Sequence, residues 1–327
     1  MTTALAELGE RLQREHGTLW LHRLKGDPYA ALLCDVDEDP GPLRELVRAA
    51  GPLWRSAAGS WVTADPATAA ALLAHPAIEH VPTLPGEAPV TAVDVPDLEP
   101  LCARVLDAAG PEFDLVTEVA EPLAAGALAV VCGIPAAEHG RFTEAVTACG
   151  IAQDAVVCPQ RLDATRQMRG SLDSLRSLPD TVPGPATVVT AARTGADLVA
   201  RTVLRARLPV RADEIGPTVE AALRAEPPTW IAPLEARADL ELAGARIATG
   251  ERLAVLLQGG PGPAEVPAHR VLAPLYRALA ESLLTALADR CTDVRPTAPL
   301  VRRPRAPLTR GPARAPMAAG TTSGGAR

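Results

Sequence analysis

The sequence predicts a mainly α protein with small β-sheets. Helical spacing of apolar residues dominates the middle of the chain, over 98–109, 114–132, 136–150, 160–178 and 186–207. Strand-like runs cluster instead of alternating with helices, which excludes a doubly wound parallel sheet. The third observation is capacity: 327 residues at 47% hydrophobic content suffice for a large buried core and are too apolar for a disordered chain.

The elements follow in order. Thr3 to His16 reads as an amphipathic helix with Leu5, Leu8 and Leu12 on one face. Gly26-Asp27-Pro28 is a turn that releases a short helix through Tyr29 to Leu33. The acidic run Asp35, Asp37, Glu38 and Asp39 closes at Pro40-Gly41, and a helix over 42–50 stops at Gly51. Leu53–Ser56 and Ser60–Thr63 form a hairpin about Ala57-Ala58-Gly59. Asp65-Pro66 caps and opens a helix to about Ala74. Four prolines make 81–97 a loop before the helical middle begins. A helix over Glu214–Ala225 ends at Pro227-Pro228, and strands follow near Ala238–Leu242, Arg246–Ile247 and Arg252–Leu257. Gly259 to Pro263 breaks the chain, Pro274–Arg290 forms a last helix, and a Pro/Arg-rich tail ends it. The expected organisation is a single domain over 1–310 with a flexible tail over 311–327.

Charge and composition remove several functions. The net charge is −7, but Val294–Arg327 holds seven arginines and no acid, leaving 25 cations against 39 acids in the body. An acidic body poor in aromatic residues suits neither a phosphate-neutralising surface nor a base-stacking platform, so no nucleic-acid partner is expected. Six scattered cysteines without a CxxC pair fit reduced thiols. The N-terminus has no secretory core, and the longest apolar stretch, Leu123–Ile134, is too short to span a bilayer. A soluble, cytoplasmic chain without a membrane partner is expected.

Catalytic motifs are missing. HExxH, CxxC and GxSxG do not occur, and Gly259-Gly260-Pro261-Gly262 lacks the lysine and helix start of a phosphate loop. The six histidines share no ligand spacing, and His75 and His80 read as surface residues. No catalytic residue, metal site or cofactor follows from motifs alone.

An ordered series of segments is more informative. Leu223-Arg224-Ala225-Glu226-Pro227-Pro228, then Ala238 to Gly244 and Ile247 to Glu251, resemble the K-helix and following sheet of bacterial haem-thiolate monooxygenases, the cytochrome P-450 superfamily. Gly26-Asp27-Pro28-Tyr29, Pro52–Thr63, Ala69–Pro76, Phe113–Val116, Gly133-Ile134-Pro135 and Ala273–Arg277 match further parts of that family in the same order. The resemblance covers most of residues 20–311 and implies a degenerate, shortened cytochrome P-450-like fold.

The departures carry the functional reading. Anchored on Ala273-Pro274-Leu275, the position of the haem cysteine is Arg270, whose guanidinium has no lone pair for iron. The K-helix glutamate position is Ala221, with Glu220 one residue off, and the propionate-binding arginine position is Leu234. His269 beside Arg270 reads as a surface residue, and Cys291 lies beyond the last helix. Arg193 stands before Thr194 where the family has an acid. The irregular haem-wrapping segment between Leu257 and Pro267 is cut out. An empty haem-sized void would cost on the order of 10 kcal/mol, as much as a typical domain's stability, so the pocket is expected to collapse.

One haem-free branch of the superfamily shares these losses: auxiliary proteins that activate glycosyltransferases in macrolide and anthracycline pathways. Leu12-Gln13, Trp20, Leu32-Leu33-Cys34, Asp37–Pro40 and the end from Pro299 to Gly311 resemble that branch. The resemblance implies a non-catalytic chain without haem that binds, stabilises and activates a nucleotide-deoxysugar-dependent glycosyltransferase as a hetero-oligomer. The alternative is a haem-binding or cofactor-free enzyme reusing the remnant pocket. Leu5, Leu8, Leu12 and Trp20 are the expected partner-binding residues, because apolar helix faces often mark interfaces.

Overall fold

The structure is a computed structural model that describes residues 2–34, 39–177, 183–206, 208–225, 227–257 and 266–321. Its N-terminal part opens with α1 (Thr2–Leu24), α2 (Pro28–Cys34) and α3 (Gly41–Ala49). Helix α1 outruns the expected span because nothing interrupts it before Gly26, whose φ of 86° suits a residue without a side chain. Asp27 anchors the turn: its carboxylate accepts from Ala30 N at 2.9 Å, from the Ser56 hydroxyl and from Ala57 N at 2.7 Å. One buried acid thus ties the start of α2 to the hairpin that follows. Of the acidic run, Asp35, Asp37 and Glu38 lie outside the described residues, and Asp39 accepts from Gly41 N.

The hairpin β1 (Trp54–Arg55) and β2 (Ser60–Thr63) belongs to a five-stranded sheet of order β1-β2-β8-β5-β3. Its other members are β3 (Ile78–His80), β5 (Ile231–Ala236) and β8 (Arg252–Leu256). Only β2 and β8 run parallel. Alternation along β8 serves two cores: Ala254 and Leu256 pack with α1–α3, while Leu253 and Val255 pack with Leu72 of α4 (Pro66–Ala74). Asp65 caps α4 as expected, accepting from Thr68 N at 2.8 Å. Strands β3 and β5 fall in short stretches to which the sequence reading assigned no element. Pro233 lies within β5, and each strand is held by the register of its neighbour.

The large core is helical. It is built from α5 (Glu99–Ala109), a π-helical turn over Leu115–Ala120, α6 (Glu121–Val131), α7 (His139–Cys149), α8 (Ala152–Ala155) and α9 (Leu162–Arg176). Helices α10 (Pro185–Arg205), α11 (Ile215–Ala225) and α12 (Pro267–Arg290) complete it. Almost all of α10 is buried. Helix α12 is long and apolar enough to cross a membrane by composition. Yet Leu272, Leu275, Tyr276, Leu279 and Leu283 lie in the hydrophobic core of the fold. It begins at Pro267, earlier than expected, because Pro274 is tolerated inside it.

Two small ribbons, β6 (Leu240–Leu242) with β7 (Ala245–Ile247) and β10 (Val301–Arg302) with β11 (Pro312–Arg314), are antiparallel. The expected domain end at residue 310 is corrected. Strand β12 (Pro316–Thr321) is the middle of a sheet of order β4-β12-β9, with β4 (Glu112–Asp114) and β9 (Cys291–Pro296). Met317 is buried there beside Phe113, so the fold runs to Thr321. The composition of 311–321 looked solvated because Pro, Ala and Gly carry little hydrophobic signal.

Candidate functional site

Between α10, β5, the start of α12 and the segment 79–90 lies a cavity of about 430 Å³. Helix α10 contributes Ala186 and Thr190, one turn apart and therefore on one face. Strand β5 contributes Ile231 and Pro233, and α12 contributes His269 and Val271. Thr190 Oγ1 and His80 Nε2 are buried on this wall without a hydrogen-bond partner among the described residues. His269 is also buried, its Nδ1 being 3.4 Å from the Tyr276 hydroxyl. Burial, with His80 nearby, pushes its pKa down to about 3 and keeps the ring neutral. Burial likewise lowers the pKa of His80.

His269 corrects the expectation that it faces solvent, while His80 is half-buried with its Nε2 covered. His80 ends β3, paired with Leu234, and His269 occupies the early first turn of α12. Complete collapse of the pocket is corrected too. An empty apolar void of this size would cost on the order of 10 kcal/mol. This cavity is not a sealed void of that kind: the exposed Glu79 and Arg237 stand at its edge.

The residues present do not fit a haem. Arg270 is exposed and does not line the cavity. Leu234 is 1% exposed and packs in an apolar cluster. Arg237, the only arginine lining the cavity among the described residues, is committed to Glu79 at 2.7 Å and Glu235 at 2.6 Å. Two propionates would therefore meet Glu79 and Glu87 with no free cation. Ala221 is exposed on α11, and Glu220 beside it pairs with Arg224 at 3.3 Å and with Arg277. What fastens the core in the resembling family is here a surface pair, worth little in water. Only ten residues, 257–266, separate β8 from α12, and most of them lie outside the described residues.

Below the cavity, α10 meets a buried charge cluster that the sequence reading missed. Arg193, Asp197 and Arg201 continue the stripe begun by Ala186 and Thr190, at helical spacings of four, three, four and four. Arg193 does not face the cavity; it reaches Glu121 at 3.3 Å. Arg303 places one nitrogen 2.9 Å and 3.2 Å from the two Asp197 oxygens and another 3.1 Å from Glu121. Arg201 donates to the Pro227 carbonyl at 3.1 Å and to the Thr309 carbonyl. Asp154 of α8 accepts from Leu308 N, Thr309 N and the Thr309 hydroxyl at 2.8–3.0 Å. Burial raises its pKa to about 6 against these donors. The cluster clasps residues 303–309 onto α10. Its sequence signal was three charges on one stripe of an otherwise apolar helix.

The expected partner-binding stripe is covered only in part. Leu8 is buried, and Leu5 and Leu12 are half-buried. Gly9 lies close to Leu162 of α9, where a Cβ would sit 3.2 Å from its side chain. Trp20 is half-buried: its indole N–H donates to His16 at 3.3 Å, and Arg23 lies 4.8 Å over its ring. The apolar stripe of a surface helix is its core face. The outward apolar residues are Leu21 and Leu24 on α1, 50% and 77% exposed, and Leu46 on α3.

No protein-family model matches the chain. It is 32% identical to protein TylM3 of Streptomyces fradiae over 397 aligned positions, covering 96% of this chain and 93% of that one. Those positions outnumber the 327 residues here, so the relative carries segments that this chain lacks. Protein DesVIII of Streptomyces venezuelae is 29% identical, covering 95% and 93% of the two chains. The crystal structure of CalO2 superposes with a TM-score of 0.66 at 19% identity, over 89% of this chain and 98% of that one, and cytochrome P450 structures superpose similarly. The chain thus has the cytochrome P-450 fold and belongs, with TylM3 and DesVIII, to the P-450-like glycosyltransferase auxiliary proteins of antibiotic pathways.

Proposed function

We propose that the chain works without haem, in the cytoplasm, as one member of a hetero-oligomer with a nucleotide-deoxysugar-dependent glycosyltransferase. It binds, stabilises and activates that enzyme and touches neither nucleic acid nor membrane. The observation that carries this reading is a sequence 32% identical to TylM3 over 96% of this chain, with Arg270 and Leu234 at the positions that the resemblance gives to the haem ligand and the propionate arginine. Activation requires that the chain bind the active conformation of its partner more tightly than the inactive one. A preference of about 1–3 kcal/mol gives roughly 5–150-fold activation.

The outward face of α1 is the docking surface in this reading, because Leu21 and Leu24 are apolar, exposed and outside the core. Co-expression with the pathway's glycosyltransferase tests it. The two chains co-purify, the complex shows no Soret band, and L21D/L24D lowers affinity at least tenfold while leaving the fold's melting temperature unchanged. Failure to co-purify, or stoichiometric haem, defeats the reading.

A further inference from the structure

Partner activation leaves the cavity beside α10 without a role. Its size of about 430 Å³ falls in the range of small-molecule sites. The wall is largely apolar, through Val90, Ala186, Ile231, Val271 and Leu308. Within it Thr190 Oγ1 and His80 Nε2 are buried and unpartnered. Native proteins seldom leave buried polar atoms unpaired, because each such group costs the loss of its hydration. A hydroxyl or carbonyl oxygen in the cavity pairs with both types of atom.

Charge narrows the ligand class. Glu87 is 2.7 Å from Arg176, and Glu79 is 2.7 Å from Arg237. Among the described residues a cationic ligand therefore finds no unclaimed carboxylate in the cavity, and an anionic one finds no unclaimed guanidinium. His269 is held neutral by burial and adds no charge. We infer that the cavity binds a neutral, largely apolar small molecule bearing one or two hydroxyl or carbonyl oxygens, with Thr190 and His80 recognising an oxygen. The inference rests on the cavity alone, so it stands or fails separately from the assignment of the protein partner.

Calorimetric titration of the full chain tests it with three probes: 2-naphthol, estradiol, and estradiol 3-sulfate, which keeps the skeleton but adds an anion. At least one neutral probe binds saturably at one site, and the sulfate binds at least tenfold more weakly than estradiol. Thr190→Val weakens the neutral probe about fivefold, and Thr190→Ser restores it. Ala186→Phe, which fills the cavity from α10, abolishes binding. No saturable binding of either neutral probe overturns the inference. So does equal binding of the sulfate, or indifference to Thr190→Val. If Ala186→Phe fails to fold, the Val and Ser pair at Thr190 still decides, because both keep the side-chain volume close to threonine.

Discussion

One stripe of α10 has two different surroundings. Its N-terminal half, at Ala186 and Thr190, borders a cavity and leaves a hydroxyl unpaired. Its C-terminal half, at Asp197 and Arg201, is filled by residues 303–309 and densely hydrogen-bonded. Neighbouring residues divide between the two: Gln153 and Leu308 line the cavity, while Asp154 and Thr309 belong to the clasp. Stability therefore concentrates where the chain crosses its own C-terminal segment. The place that resembles a cofactor pocket contributes little to it. Buried charges fasten a fold in this way only when every partner is present.

The largest effect that separates the two halves is expected at Arg303. Arg303→Met leaves Asp197 buried without its partner and should cost about 3–5 kcal/mol in chemical denaturation. The double variant Arg303→Met/Asp197→Leu should recover much of that loss. A double variant as unstable as the single one would show that the clasp is not an ion-pair device.

Asp154 gives a smaller effect with a defined sign. Its carboxyl is raised from 3.8 to about 6, so the folded state holds the proton more tightly than the unfolded chain. The stability it contributes is fully present below pH 3.8 and is lost as pH rises through 6, a swing of roughly 3 kcal/mol at most. Asp154→Asn cannot ionise, so its stability relative to the parent should rise between pH 4 and pH 7.5. Melting curves across that window check it, and a pH-independent difference would contradict the burial argument.

The smallest effect belongs to the cavity wall. Thr190→Val exchanges an unpartnered buried hydroxyl for a methyl group and should change stability by less than about 1 kcal/mol, in the stabilising direction. A loss of 2 kcal/mol or more would mean that the hydroxyl is satisfied in solution and that the two halves of α10 are alike.

Much of this was legible in the residues. The capped start of α4 at Asp65, the hairpin about Gly59 and the long helices announce themselves through local spacing. So did the replacements Arg270, Ala221 and Leu234, once the ordered resemblance gave them positions. What escaped depended on partners distant in sequence. Strand β5 is a strand because β8 and β3 flank it, and residues 311–321 are ordered because β4 and β9 receive them. The pairing of Asp197 with Arg303, across 106 residues, has no local pattern. The stripe Leu5, Leu8 and Leu12 was legible as apolar, but periodicity reveals a face and not what covers it.

The central claim is that this chain acts on another enzyme. Its most direct measurement is the sugar-transfer rate of the pathway's glycosyltransferase, assayed alone and with the purified chain at saturating concentration. The account predicts a rise of at least about fivefold, matching a coupling of about 1 kcal/mol or more. An unchanged rate, with the two proteins demonstrably in complex, would contradict it.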